Sequence, residues 1–317
     1  MQAQLESITD APVLPEDMPH IPAMTTEAER ALYYRLVREN AHRGAVFELG
    51  AWLGASSAWI AAGMRDSTGG KAHVYDRFRS KPGHAAKVVA FYANHGGEGE
   101  MVLGDCERQF RANLGPLLDH VEIHRGEIAE IEWTGGPISV LITDAPKRVP
   151  EISAVLTRLR HALLPGAIMA WQDFCHFPSY EIPACLSALG SKIEFVEAVV
   201  PGTTLVFRIV EPLTESDVSP KALDIARWHP AEVVLNWAHW LRHGVPAEKA
   251  GLFRCGASLF LCDIGEPGEA LLHLRETFRD DAEAILPKWR YLRAQRPDLV
   301  RRYAPLFDFL RREGALD

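Results

Sequence analysis

Between residues 45 and 174, short β-rich apolar runs alternate with helical stretches, and two β-rich runs in succession follow them. This pattern limits the possible folds more than any other feature of the chain. AVFELG (45–50) leads into the small-residue helix ASSAWIAAGM (55–64). AHVYDRF (72–78), VEIHRGEI (121–128), PISVLITDA (137–145) and AIMAWQDF (167–174) read as further strands. The last of these follows a helical run, ISAVLTRLRHALL (152–164), that Pro165-Gly166 stops. Strands separated by helices predict a parallel sheet covered on both faces. IEFVEAVV (193–200) and TTLVFRIV (203–210), joined by Pro201-Gly202, predict an antiparallel hairpin. A parallel sheet closed in this way is unlike an ordinary dinucleotide-binding domain.

The flanks follow other rules. Residues 1–25 hold four prolines and little periodicity, which predicts an extended N-terminal arm. A helix begins near Thr25-Thr26, which can cap it, and Gly44 ends it. Residues 79–110, with Gly96, Gly97 and Gly99, break the alternation and read either as a lid-like insertion near a ligand cleft or as an ordinary surface excursion. After Pro212 almost no strand signal remains, so residues 213–317 are expected to form a helical C-terminal subdomain containing Trp228, Trp237, Trp240 and Trp289. Eight basic residues between Lys288 and Arg312 read as a solvated helix face, with an acidic ligand as the other reading. The domain from 26 to 212 is then the place to look for chemistry.

Composition excludes several classes. With 34 basic and 42 acidic residues the formal charge is −8, which argues against nucleic acid as the main partner. No apolar run approaches the roughly 20 residues of a membrane span. The first 20 residues lack the basic and apolar regions of a secretory signal. Five scattered cysteines, none in CxxC spacing, point to a reducing, cytoplasmic compartment and not to a disulfide framework. Homo-oligomerisation stays open.

Ligands of open α/β sheets bind outside the carboxyl ends of the strands. At the first such end stand Glu48, Gly50 and Gly54. Gly50 permits a tight turn, Gly54 a close backbone approach, and the next helix offers free N–H groups. Trp52 occupies the place of the middle glycine of a GxGxxG loop. A carboxylate at Glu48 would repel pyrophosphate but suits an ammonium or sulfonium. Asp76 ends the second strand, where an acid can accept both hydroxyls of a ribose. Gly126 and Glu127 follow the third strand and are candidates for an adenine edge.

In order and spacing, ELGAWLGASSAWIA, VYDRF, VEIHRGEI, LITDAPK and LLPGAIMAWQDF resemble the successive motifs of class I S-adenosylmethionine-dependent methyltransferases. The resemblance covers about residues 26–210. It implies a Rossmann-like sheet closed by an antiparallel hairpin, with S-adenosylmethionine bound by Glu48, Gly50, Gly54, Asp76, Gly126 and Glu127. Within that superfamily Asp144-Ala-Pro-Lys147 is similar to the D-x-x-K of metal-dependent O-methyltransferases of the catechol and caffeoyl-CoA type, and of the macrocin type at the two strand ends. That likeness implies Asp144 and Asp173 as ligands of a divalent cation, Mg²⁺ being the ion that suits hard oxygen donors. It also implies Lys147 as acceptor of a hydroxyl proton. The departure is Phe174, which cannot coordinate a metal. Either Gln172 or His176 completes the shell, or the metal is absent. His176, beside a carboxylate, is the second candidate for the base. The implied activity is O-methylation of a small hydroxylated acceptor, a sugar or natural-product intermediate. The other reading is a methyltransferase-like binding or scaffold protein; an NAD-dependent oxidoreductase is disfavoured by Trp52 and the closing hairpin.

Overall fold

The structure, a computed structural model, describes residues 15, 17–79, 85–97 and 106–316. Most of the N-terminal arm and parts of the lid-like insertion (80–84 and 98–105, including Gly99) lie outside the described residues.

The chain enters through α1 (Glu27–Asn40), which is capped by Thr26 in a box with Glu29. It continues as β1 (Ala45–Leu49), α2 (Ala55–Ser67) and β2 (Ala72–Asp76). Then come α3 (Ala85–Asn94), α4 (Cys106–Leu114), β3 (Val121–Arg125), β4 (Ile138–Thr143), α5 (Val149–Leu159) and β5 (Ile168–Trp171). Last in this region are α6 (Glu181–Ala188), β6 (Ile193–Ala198) and β7 (Leu205–Ile209). The seven strands form one sheet in the order β3-β2-β1-β4-β5-β7-β6. All pairings from β3 to β5 are parallel, and β7 runs antiparallel to both β5 and β6. This is the Rossmann-like sheet with an antiparallel closure that the strand pattern predicted.

Two details differ from the sequence reading. The β6–β7 connection spans residues 199–204 and is not a two-residue turn. A buried carboxylate sets its shape: Glu29 accepts from Thr203 N at 2.8 Å and from Thr204 Oγ1 at 2.9 Å, tying the start of α1 to the hairpin. The small residues of α2 serve packing. A Cβ on Gly63 would come within 2.9 Å of Tyr34 O, so the glycine lets α1 and α2 cross closely.

The C-terminal third comprises α7 (Glu215–Val218), α8 (Pro230–His243), α9 (Ala250–Asp263), α10 (Pro267–Gln295), α11 (Pro297–Arg302) and α12 (Ala304–Arg312). It shares a hydrophobic core with the sheet. Phe174 packs on Phe253 and Trp240, Phe177 on Trp289, and Phe207 on Trp240, with ring centroids 5.2–5.9 Å apart. Trp237, Trp240 and Trp289 are buried and their indole N–H groups are satisfied by Phe253 O, Ser187 Oγ and Cys255 Sγ. Arg296 pairs with Asp298 and Arg311 with Asp308, whereas Arg302 of α11 reaches Asp263 at the end of α9. Among the described residues no helix is long and apolar enough to cross a membrane.

Candidate active site

The parallel strands deliver their carboxyl ends to one rim of the sheet, and the sequence-predicted residues meet there. Glu48, the penultimate residue of β1, is 1% exposed. Ser56 and Ser57, in the first turn of α2, each donate a hydroxyl hydrogen bond to its carboxyl group. Burial dominates its ionisation and pushes its pKa up to about 8, against the lowering effect of the two serines. Glu48 is therefore largely protonated near neutrality in the free protein.

The next four residues turn sharply. Gly50 and Gly54 have φ of +95° and +92°, and Trp52 between them has φ +46°. A side chain at Gly50 would meet Ala145 N at 2.8 Å, so this glycine is required by the β4 connection rather than by ligand space. At Gly54 a Cβ would lie 2.4 Å from Leu114 Cδ1 and 2.9 Å from Phe110. Its role is the packing of the α2 start on α4. Gly54 also begins α2 without a side-chain cap, leaving the first N–H groups of that helix to an anionic group.

Asp76 organises this loop. Its Oδ2 accepts from Ala51 N at 2.8 Å and Trp52 N at 2.9 Å, and its Oδ1 accepts from Phe78 N at 2.6 Å. An ionised carboxylate offers about four acceptor positions. Three are used, so a contact to both ribose hydroxyls does not fit; one further hydrogen bond does. Gly126 is joined to Asp76 through the backbone, N to O at 3.0 Å, and space is open where its Cβ would be. Glu127 is exposed and 3.9 Å from Arg77. Beside both opens a cleft of about 590 Å³. From the insertion, Phe91 of α3 packs on Trp52 with centroids 5.2 Å apart. Loop, acid and uncapped helix together fit a ligand with a carboxylate at one end and a sugar at the other.

A second group stands at the ends of β4 and β5. Lys147 Nζ lies 2.7 Å from Asp144 Oδ1 and 2.5 Å from Asp173 Oδ2. His176 Nδ1 is 3.9 Å from Asp173 Oδ2 and 3.3 Å from Ser179 Oγ. Asp173 has φ +61°, a conformation that aspartate tolerates better than most residues. Burial would lower the lysine pKa, but the two carboxylates outweigh it and raise it. Burial raises Asp144, whereas Lys147 and His176 hold Asp173 below its ordinary value despite burial. Burial lowers His176; Asp173 opposes this, and Lys147, Lys288 and Arg296 add to it.

These facts revise the sequence expectations. A proton-accepting lysine needs a lowered pKa, and here the ammonium is stabilised. A divalent cation between Asp144 and Asp173 would have to displace that ammonium. Gln172 is buried and accepts from Tyr33 OH at 3.4 Å, away from the pair. Among the described residues no third His, Cys, Asp or Glu ligand atom converges with both aspartates. As placed, the residues fit an ammonium and not a metal ion. Phe174 is explained by packing against the C-terminal helices. Sequence reasoning missed Glu29 and Thr203, whose hydroxyl lies 3.4 Å from Asp173 Oδ1. The T-x-x-E cap at Thr26 was the available signal for Glu29.

Residues 47–174 match the family model for a methyltransferase domain. No curated protein matches the chain closely enough to count as a relative. Among solved structures the chain is similar to the O-methyltransferase NovP, at 17% identity over 58% of this chain and 80% of that one, with a TM-score of 0.45. It is similar to CalS11, a TDP-rhamnose 3′-O-methyltransferase of calicheamicin biosynthesis, at 17% identity over 57% and 76%, with a TM-score of 0.38. An O-methyltransferase from Bacillus cereus in complex with S-adenosylhomocysteine matches at 15% identity over 59% and 82%, with a TM-score of 0.38.

Proposed function

We propose that this chain, whose residues 47–174 are an S-adenosylmethionine-dependent methyltransferase domain, methylates a hydroxyl group of a small acceptor such as a sugar or natural-product intermediate, without a metal ion. The observation that carries this reading is the Lys147 ammonium held between Asp144 and Asp173, with His176, whose pKa burial lowers, beside them.

The cofactor, when bound, supplies an electrophilic methyl group on a sulfonium. The uncapped start of α2 would take its carboxylate, and Asp76 would accept one ribose hydroxyl. On the acceptor side His176 would take the proton of the acceptor hydroxyl, the oxygen gaining the methyl group and the cofactor leaving as its neutral thioether. Asp173 then stabilises the imidazolium. The Lys147 ammonium, a short step away, stabilises the negative charge that develops on the oxygen, the work a divalent cation does in other enzymes. Orientation of the two reactants contributes the rest. Lys288 and Arg296 of the C-terminal helices act electrostatically on His176, which supports an acceptor site bordered by the tail.

The test is methyl transfer from labelled S-adenosylmethionine to a panel of catechols, hydroxycinnamates and nucleotide-linked sugars, with Mg²⁺ varied from none to millimolar. Turnover should be independent of Mg²⁺, and His176→Ala should lower kcat by about 10²–10⁴. Turnover that needs Mg²⁺ and vanishes in Asp173→Asn would return the site to metal catalysis. Cofactor binding without turnover on any acceptor would favour the scaffold reading.

A further inference from the structure

A cluster outside the reaction site stands on the opposite arm of the sheet. The parallel register of β2 and β3 pairs His73 with Glu122 and Tyr75 with His124. Partners in register share a face, and so do residues two apart on one strand. His73, Glu122 and His124 are thus brought to one face by strand pairing alone. Their donor atoms converge: His73 Nδ1 is 3.1 Å from His124 Nε2 and 3.7 Å from Glu122 Oε2, and His124 Nε2 is 3.6 Å from Glu122 Oε1. In a tetrahedral zinc site with bonds of about 2.0–2.2 Å, ligand atoms lie about 3.3–3.6 Å apart. The three separations bracket that value.

The surroundings fix the rings. His124 stacks on Tyr75 at 4.2 Å, and His73 is held between Phe47 and Trp133 with centroids at 5.2 and 4.8 Å. Two imidazoles and a carboxylate make the donor set, against an aromatic wall. In the free protein the two ring nitrogens lie within hydrogen-bond distance of each other, and the Glu122 carboxylate faces both.

We infer that His73, Glu122 and His124 bind a divalent cation of the Zn²⁺ type, with a fourth position toward solvent. Two nitrogen ligands select Zn²⁺ or Co²⁺ over Mg²⁺ and Ca²⁺. The ion would clamp the edge strand β3 to β2, beneath the Gly126-Glu127 turn, and takes no part in methyl transfer. The inference does not depend on the proposed reaction.

The experiment titrates tag-free, metal-stripped protein with Co²⁺, followed by visible absorption, and then displaces it with Zn²⁺. One equivalent of Co²⁺ should bind with the intensified visible bands of tetrahedral coordination, and Zn²⁺ but not Mg²⁺ should bleach them. His73→Ala and His124→Ala should each weaken binding at least tenfold, and Asp144→Asn should leave it within twofold. Circular dichroism of the stripped variants checks their folding. Glu122→Gln, on an exposed side chain, keeps the test intact if a histidine variant does not fold. Absence of Co²⁺ binding below millimolar, survival of binding in all three variants, or its loss in Asp144→Asn would each overturn the inference.

Discussion

At Glu48 the protein holds a carboxyl group with a pKa pushed up to about 8 directly below the loop that should receive the cofactor. An unfolded glutamate loses its proton near pH 4.3, whereas the folded one keeps it to about 8. The unfolded state therefore binds fewer protons between these values, and this group makes stability fall as pH rises through that window. Glu48→Gln should raise Tm at pH 8.5 relative to the parent and leave it nearly unchanged at pH 4, as measured by calorimetric melting. An incoming ammonium or sulfonium favours the ionised form, so cofactor affinity should rise from pH 6 to pH 8 in the parent and flatten in the variant. His176 behaves in the opposite sense, being useful only when neutral. With its pKa lowered, kcat/KM should fall only below the ordinary imidazole range and stay level above it. A profile that instead rises from pH 8 to pH 10 would identify Lys147 as the base.

Single elements show why spacing revealed the site residues but not their roles. Glu48, Gly50, Gly54 and Asp76 were legible because the strand period and the glycine pattern put them at strand ends. Their neighbours across the loop were not, since Ala145, Leu114 and Phe110 come from distant positions in sequence and only the fold brings them within contact. For that reason Gly54, read as a place of backbone approach to a ligand, proves to be a helix-packing position. Gly54→Ala should destabilise the protein by about 1–3 kcal/mol, the range for overpacking a filled core, beyond the strain of positive φ. Denaturant melts check the value, and a stability equal to the parent's would remove the packing argument. Phe174 teaches the same lesson from the other side: as a break in a metal-ligand pattern it was conspicuous, but its reason lies in Phe253 and Trp240, some 65–80 residues away.

Across the whole molecule, the parallel run of strands and its antiparallel closure followed from the alternation of apolar runs. The relation of residues 213–317 to the sheet did not, because helical periodicity marks a buried face without saying what covers it. Read alone, the sequence marks residues 213–317 as a helical subdomain. The shared core of Phe174, Phe207, Trp240, Phe253 and Trp289 argues that removal after Pro212 exposes the sheet face and prevents native folding. Scanning calorimetry should accordingly show one cooperative transition for the full chain, and two separate transitions would restore an independent subdomain. The proposed cofactor site is the rim formed by the 50–54 loop, Asp76 and the start of α2. The most direct test is calorimetric titration of the full chain with S-adenosylmethionine, S-adenosylhomocysteine and NAD, alongside Asp76→Ala. One equivalent of either sulfur compound should bind, NAD should not, and Asp76→Ala should weaken binding by about 1–3 kcal/mol. Binding of NAD in preference, or equal affinity in the parent and Asp76→Ala, would contradict the placement of the site.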